Sequence, residues 1–312
     1  MSATIGIDIG GTKILAVAID GAGRVLNETQ VATPGEPGAL LAALGRVIDA
    51  IIEQVGPPHA IGLGLPGFLS LDGIARQAPN LPASVGLDVP GDLQARYGVR
   101  VVVDNDANCA AWAARHHDAP EAGFLVAVTF GTGIGGGIVL DGHLVRGANG
   151  FAGEPGHMVV DAGGEACVCG QRGCWERYAS GSGLGRLGRR AVRAGAAPAL
   201  LEAAGGDVAT IDGPLVGRLA VAGDAGAGAV LDDYAAWIAV GLVNLVNLLD
   251  PGVIILGGGV VALGDALMER VDAALEEYPT VLVGRQLTIR ISDLGPTAGA
   301  VGAGLLAAES LR

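Results

Sequence analysis

Between Gly153 and Glu176 the sequence gathers four groups suited to a transition metal. Cys167, Cys169 and Cys174 are three of the chain's four cysteines, and His157 is one of five histidines. A Cys3His set is the donor set of a closed structural zinc site, because thiolate and imidazole match a borderline-soft ion with four tetrahedral N/S ligands. Gly163, Gly164, Gly170 and Gly173 let the chain wrap tightly round an ion. The Cys167–Cys169 gap is tighter than in a standard finger. Buried free thiols are the alternative, and the close grouping favours the metal. Glu154 and Glu176 flank the set, so the segment is more than a staple.

Two glycine turns offer a second kind of chemistry. Gly10, Gly11 and Thr12 follow Asp8 and precede Lys13, the only lysine beside 18 arginines. Gly131, Thr132 and Gly133 repeat the pattern. Each turn can aim backbone N–H groups at an anion, with a threonine hydroxyl added. Gly131, Gly133 and Gly136 fit GxGxxG, as do Gly62, Gly64 and Gly67, but the dinucleotide fingerprint needs a helix next and neither run supplies one. GxxxxGK[ST] is absent. Ordinary tight turns are the plainer reading of either one alone; the matching pair, with Asp8, Thr12 and Lys13 in the first, favours phosphate binding.

Asp104, Asn105 and Asp106 stand at the carboxyl end of an apolar strand and before a helix, where α/β proteins place ligands. One of the three can cap the helix while another acts as a base.

The elements that must position these groups are legible from periodicity. Ile5, Ile7 and Ile9 alternate as in a strand. Strands are expected over 4–9, 14–19, 24–31, 60–65, 99–103, 124–129, 138–140 and 253–256. Helices are expected over 40–55, 107–115 and 262–277, with an Ala/Gly-rich helical stretch over 183–235. The strand–glycine turn–strand unit occurs twice, at 8–13 and 131–137, which suggests two related halves. Strands alternating with helices indicate an α/β fold with mixed sheets.

At 312 residues the chain has room for two domains. A net charge of −13 and a hydrophobic share of 50% describe an acidic globular chain, which argues against nucleic acid as a partner. No signal peptide opens it. The apolar run 235–249 is too short and too polar to span a membrane comfortably and reads as a buried core helix. Clustered thiols without a secretion signal suggest a cytoplasmic protein holding a metal, and Cys109 reads as a small core residue.

Taken together, Asp8-Ile-Gly-Gly-Thr-Lys13, Val103-Asp-Asn-Asp-Ala-Asn108, Phe130-Gly-Thr-Gly-Ile-Gly-Gly-Gly137, Gly153-Glu-Pro-Gly-His157, Cys167-x-Cys-Gly-x-x-Gly-Cys-x-Glu176 and Leu256-Gly-Gly-Gly259 resemble the motifs of the ROK family of sugar kinases and repressors, almost from end to end. The resemblance implies the hexokinase/actin-like (ribonuclease H-like) fold, with two domains and a cleft between them. The small domain would cover 1–117 with 298–312, and the large one 118–297. Pro155 departs from the family's larger apolar residue.

The resemblance further implies ATP-dependent phosphorylation of a hexose at its 6-hydroxyl, with Asp106 as general base. Asp8 would hold Mg2+, and Gly10, Gly11, Thr12, Lys13, Gly131, Thr132 and Gly133 would cradle the phosphates of ATP. Gly257, Gly258 and Gly259 would form the adenosine motif. Asn80, Asn105, Asp106, Glu154, His157 and Glu176 would bind the sugar. His157 would give one ring nitrogen to a structural Zn2+ shared with Cys167, Cys169 and Cys174, and offer the other to the substrate. The flanking sequences look most like bacterial glucokinases. N-acetylglucosamine and N-acetylmannosamine kinases share the motifs, and polyphosphate is an alternative donor. A sugar-responsive repressor needs an N-terminal DNA-binding domain, for which 1–7 leaves no room. A homodimer is implied.

Overall fold

Alternating apolar residues at the N-terminus form the centre of a sheet in this computed structural model, which describes residues 3–279 and 283–311. The strands are β1 (Thr4–Ile9), β2 (Lys13–Ile19), β3 (Val25–Ala32), β4 (Ala60–Leu65), β5 (Phe68–Leu69), β6 (Ala75–Gln77), β7 (Arg100–Asn105), β8 (Phe124–Phe130), β9 (Ile134–Leu140), β10 (His143–Leu144), β11 (Val253–Gly257) and β12 (Thr288–Ile291). The helices are α1 (Pro37–Val55), α2 (Val89–Tyr97), α3 (Asp106–His117), α4 (Glu176–Ala179), α5 (Gly181–Arg193), α6 (Pro198–Ala203), α7 (Gly213–Val221), α8 (Ala225–Leu249), α9 (Asp265–Glu276) and α10 (Ala298–Glu309). The expected helix over 262–277 is divided: a 3-10 turn at Gly259–Leu263 precedes α9, and Gly264 at φ 56° separates the two.

The two five-stranded sheets share one plan. Their orders are β3-β2-β1-β4-β7 and β10-β9-β8-β11-β12. In each, the strand before a glycine turn lies at the centre, with its hairpin partner on one side and later strands on the other. That symmetry agrees with the repeated strand–turn–strand unit in the sequence. In the first sheet β1, β2 and β3 are antiparallel, and β4 and β7 run parallel to β1.

The chain divides into two units. The first holds the chain up to Ala127, Gly136–Gly153, and the chain from Ser292; the second holds Val128–Gly135 and Glu154–Ile291. The division falls within β8 and β9.

In the first unit Ile5, Ile7 and Ile9 are fully buried and pack with Leu40, Leu44, Ile48 and Ile51 of α1. The opposite face of β1 carries Gly6 and Asp8, since strand neighbours alternate. It packs on α10, whose carbonyl of Ala300 would lie 1.9 Å from a Cβ at Gly6. Helix α10 also meets α3 closely: a Cβ at Gly302 would fall 1.7 Å from the Cys109 carbonyl oxygen.

In the second unit the expected core helix over 235–249 extends back to Ala225, giving α8 25 residues. Among the described residues α8 is the one helix long and apolar enough to cross a membrane, so shortness does not exclude a span. Its Leu231, Tyr234, Ile238, Leu242 and Val246 are buried in the core at helical spacing. The Trp175 ring occupies the place of a side chain at Gly241, 1.9 Å from where its Cβ would stand. Trp175 Nε1 donates to the Trp237 carbonyl at 2.7 Å, and Tyr234 Oη donates to the Ala179 carbonyl at 2.7 Å. Helix α8 thereby anchors α4, the element that carries Glu176.

Candidate active site and metal centre

The first glycine turn joins β1 to β2 and is closed by Gly10 N donating to the Lys13 carbonyl at 2.9 Å. Thr33 braces it: its N–H donates to the Thr12 carbonyl at 3.0 Å and its Oγ1 to the Gly10 carbonyl at 2.7 Å. Asp8 pairs with Leu15 across the hairpin, so alternation puts Lys13 on the Asp8 face. Burial pushes the Asp8 carboxyl up to about 6, and the Lys13 ammonium opposes that rise. The Asp8 carboxylate leaves no space for a side chain at Gly299 in the first turn of α10, where a Cβ would lie 2.8 Å from its Cγ. Asn80 stands beside the same turn, its carbonyl 2.8 Å from where a Cβ on Gly11 would be.

The Asp104-Asn105-Asp106 triplet divides its labour. Asn105 is the cap: its Oδ1 accepts from Ala107 N at 2.8 Å and Asn108 N at 3.1 Å, and its Nδ2 donates to the Gly67 carbonyl at 3.1 Å. Asp104 is buried and paired with Arg146. Asp106, the first residue of α3, has its carboxyl pushed up to about 7 by burial and by the charge of Asp8. A carboxyl titrating there can hold and release a proton at neutral pH.

The second unit holds the cysteine knot. Val159 bridges Cys174, Ala166 bridges Arg172, and Cys167 N donates to the Gln171 carbonyl at 2.8 Å. Gly173 has φ 72°, and a Cβ there would lie 1.6 Å from the Asp161 carbonyl oxygen, so only glycine closes the loop. The donor atoms of His157, Cys167, Cys169 and Cys174 all lie within 4.8 Å of one another. Cys169 Sγ and Cys174 Sγ are 3.6 Å apart, and Cys167 Sγ is 4.0 Å from His157 Nδ1. Zinc–sulfur bonds of about 2.3 Å in a tetrahedron give sulfur–sulfur edges of about 3.8 Å. The four residues therefore fit a zinc ion, with Nδ1 of His157 turned to the thiols. Pro155 is accommodated as the first residue of a 3-10 turn, Pro155–His157, with Glu154 before it; a missing N–H costs nothing there.

Glu176 links the knot to the second glycine turn. Its Oε1 accepts from Cys167 Sγ at 3.1 Å, and its Oε2 would lie 2.6 Å from a Cβ at Gly133. The turn itself is held by Gly131 N donating to the Gly133 carbonyl at 3.0 Å and by Gly181 N donating to the Gly131 carbonyl at 2.8 Å. Gly131 and Thr132 line a cavity of about 1130 Å³ together with Gly259, Arg189, Asp212 and Arg218. Of the expected adenosine motif only Gly259 lines it. Gly258, at φ 88°, instead presses on the Phe130 backbone, with its Cβ position 2.5 Å from the carbonyl oxygen. Arg189, Asp212 and Arg218 carry no motif in the sequence. Asp212-Gly213-Pro214 reads only as a helix start, and Asp212 does cap α7, accepting from Leu215 N at 2.8 Å.

The fold is that of the hexokinase/actin-like kinases, and a carboxyl raised towards neutrality in the first unit, a cavity of about 1130 Å³ in the second, a braced glycine turn in each and a Cys3His cluster suited to a metal are features that phosphoryl transfer can use. A sequence model of the ROK family matches residues 4–310, and the chain belongs to that family. The glucokinase of Streptomyces coelicolor is 36% identical over 325 residues, covering 99% of this chain and 98% of that one. An N-acetyl-D-glucosamine kinase of Salmonella paratyphi A is 31% identical over 265 residues, covering 81% and 82%. The crystal structure of a ROK family glucokinase from Streptomyces griseus in complex with glucose and AMPPNP superposes with a TM-score of 0.87 at 34% identity, covering 99% of this chain and all of that one.

Proposed function

We propose that this ROK protein is an ATP-dependent glucokinase that phosphorylates the 6-hydroxyl of glucose. The observation that carries the reading is Asp106, a carboxyl raised to about 7 at the start of α3, in a chain similar over its full length to proteins named glucokinase. Asp106 accepts the proton of the hydroxyl as its oxygen attacks the γ-phosphorus, and the bond to the ADP oxygen breaks. Phosphoryl transfer passes through a loose transition state, so alignment and charge neutralisation supply most of the acceleration. Gly10, Gly11, Thr12, Gly131, Thr132 and Gly133 hold the phosphates, with Lys13 adding charge. Asp8 would hold Mg2+, which would supply charge neutralisation when bound. The adenosine lies in the cavity lined by Gly259. Asn80, Asn105, Glu154, His157 and Glu176 bind the sugar hydroxyls; His157, Cys167, Cys169 and Cys174 would hold a structural Zn2+, which would fix His157 and, through the cysteine loop, Glu176. Its four protein ligands leave no open position, so its role is positioning. The protein works in the cytoplasm as a homodimer.

The relatives named N-acetyl-D-glucosamine kinase favour a second reading, in which the pocket takes an acetamido sugar. Comparing kcat/KM for glucose, N-acetylglucosamine, N-acetylmannosamine, mannose and fructose, with ATP or polyphosphate as donor, decides between them. Glucose with ATP is expected to rank first; a preference for an acetamido sugar overturns that choice. Asp106→Ala is expected to abolish turnover while glucose still binds, and retained turnover removes Asp106 as the base.

A further inference from the structure

Arg146 has no part in the roles assigned so far, yet its guanidinium grips the strand that ends in the catalytic triplet. Its Nε and Nη2 both donate to Oδ2 of Asp104, at 2.7 and 2.6 Å. Asp104 is only 7% exposed. The other carboxylate oxygen, Oδ1, accepts from Asn105 N and from Asn108 Nδ2, each at 2.8 Å. A buried carboxylate thus ties together the residues on either side of Asp106.

Arg146 also closes the neck of a loop, since Ala152 N donates to the Arg146 carbonyl at 3.1 Å. The loop is pinned to the same unit at two further points. A Cβ at Gly150 would lie 2.4 Å from the Leu69 carbonyl oxygen, and the Phe151 ring meets Phe68 edge-on at 5.7 Å. The loop is a fixed strut, and the Arg146–Asp104 pair is where it bears on the start of α3.

We infer that Arg146 is a positioning residue for phosphoryl transfer: by clamping Asp104 to the 146–152 loop it sets the aim of the Asp106 carboxylate. The inference rests on Asp106 being the base. Two guanidinium donors converging on one oxygen fix an angle as well as a distance, which a lysine ammonium on a flexible stem does not. Displacements of about 1 Å at a reacting group can cost roughly 100-fold in rate.

Arg146→Met is expected to lower kcat by roughly 100-fold while the KM for ATP and the zinc content stay as in the parent, and Arg146→Lys is expected to recover only part of the loss. Arg146→Met leaves a buried carboxylate without its partner, so the fold can suffer. Asp104→Asn with Arg146→Met is the companion variant. It leaves no unpaired charge, and the amide oxygen still accepts from Asn105 and Asn108. Thermal stability is expected to return in this double variant while kcat remains low. Unchanged kcat in Arg146→Met, or kcat recovering together with stability in the double variant, overturns the inference. Asp106→Ala assayed alongside separates the two claims: if it is inactive while Arg146→Met is fully active, only the positioning role falls; if it turns over, the base assignment falls.

Discussion

Asp106 owes its poise to two neighbours of different kinds. Burial penalises its charged form, and the charge of Asp8 adds to that penalty, so the carboxyl reaches about 7 against an ordinary 3.8. A base must be ionised to accept a proton. The acid limb of kcat/KM for glucose is therefore expected above 3.8 and no higher than about 7, with a cation at Asp8 drawing it down from the upper figure. A limb at or below the ordinary carboxylate value contradicts the burial account. The same shift makes a stability statement. With the folded value above the unfolded one, ionisation of Asp106 costs stability as pH rises through 3.8, and the cost is fully present above about 7. Asp106→Asn is accordingly expected to raise Tm at pH 8 relative to the parent and to leave it little changed near pH 4. Thermal melts at the two pH values check the sign. The roles within the triplet were not separable in the sequence, because Asp and Asn both cap helices well; only the hydrogen bonds assign the cap to Asn105.

Among the α-helices of the described residues, α4 is the shortest, at four residues, and depends most on its surroundings. Four residues cannot hold a helix alone, so Glu176 is held by what flanks it. On one side the cysteine loop brings Cys167 Sγ within 3.1 Å of its carboxylate. On the other, Ser180 Oγ donates to the Glu176 carbonyl at 2.6 Å and caps α5 by accepting from Gly183 N. Trp175 is buried against Gly241 and meets Phe130 edge-on at 5.7 Å. Cys169→Ala removes one ligand of the knot but leaves Trp175 and α8 intact. It is expected to lose zinc and to weaken glucose binding by roughly 10–100-fold, with the KM for ATP affected less. Metal analysis and isothermal titration with glucose test this, and normal glucose affinity in a zinc-free variant rules out the positioning role. The knot was readable in the sequence because its ligands are close along the chain. The core helix α8 was readable too, over 235–249, but its anchoring contact was not, because Gly241 looks like any glycine in an apolar helix until Trp175 is placed on it.

At the scale of the whole molecule, glycine sets how closely the elements approach. The chain has 54 glycines; those in α10 let that helix lie directly on β1 and α3 of the first unit, and Gly62 of β4 lets it lie on that strand. Gly302→Ala is expected to destabilise the protein. Alanine gains about 1 kcal/mol in helix propensity, but its Cβ meets the Cys109 carbonyl at 1.7 Å, and backbone has to move at a cost of about 1–3 kcal/mol or more. Because α3 carries Asp106, kcat is expected to fall as well. Gly228→Ala in α8 is the control: its Cβ meets only Arg270 Nη2 at 3.9 Å, so Tm is expected to hold or rise. Equal melting temperatures for the two variants would show that close packing does not limit α10. The sequence by itself made legible the strands of the first sheet, parts of β8, β9 and β11, the two glycine turns, the Cys3His grouping and the acidic triplet, but not the short strands β5, β6, β10 and β12, because the former are written in local periodicity or short spacing. The tertiary structure alone decided that Lys13 shares a face with Asp8, that Asn105 caps and Asp106 stays poised, that Arg189, Asp212 and Arg218 line the cavity, and that Arg146 clamps Asp104. Those facts depend on strand register, burial and contacts between residues far apart in the chain, and no local pattern encodes them.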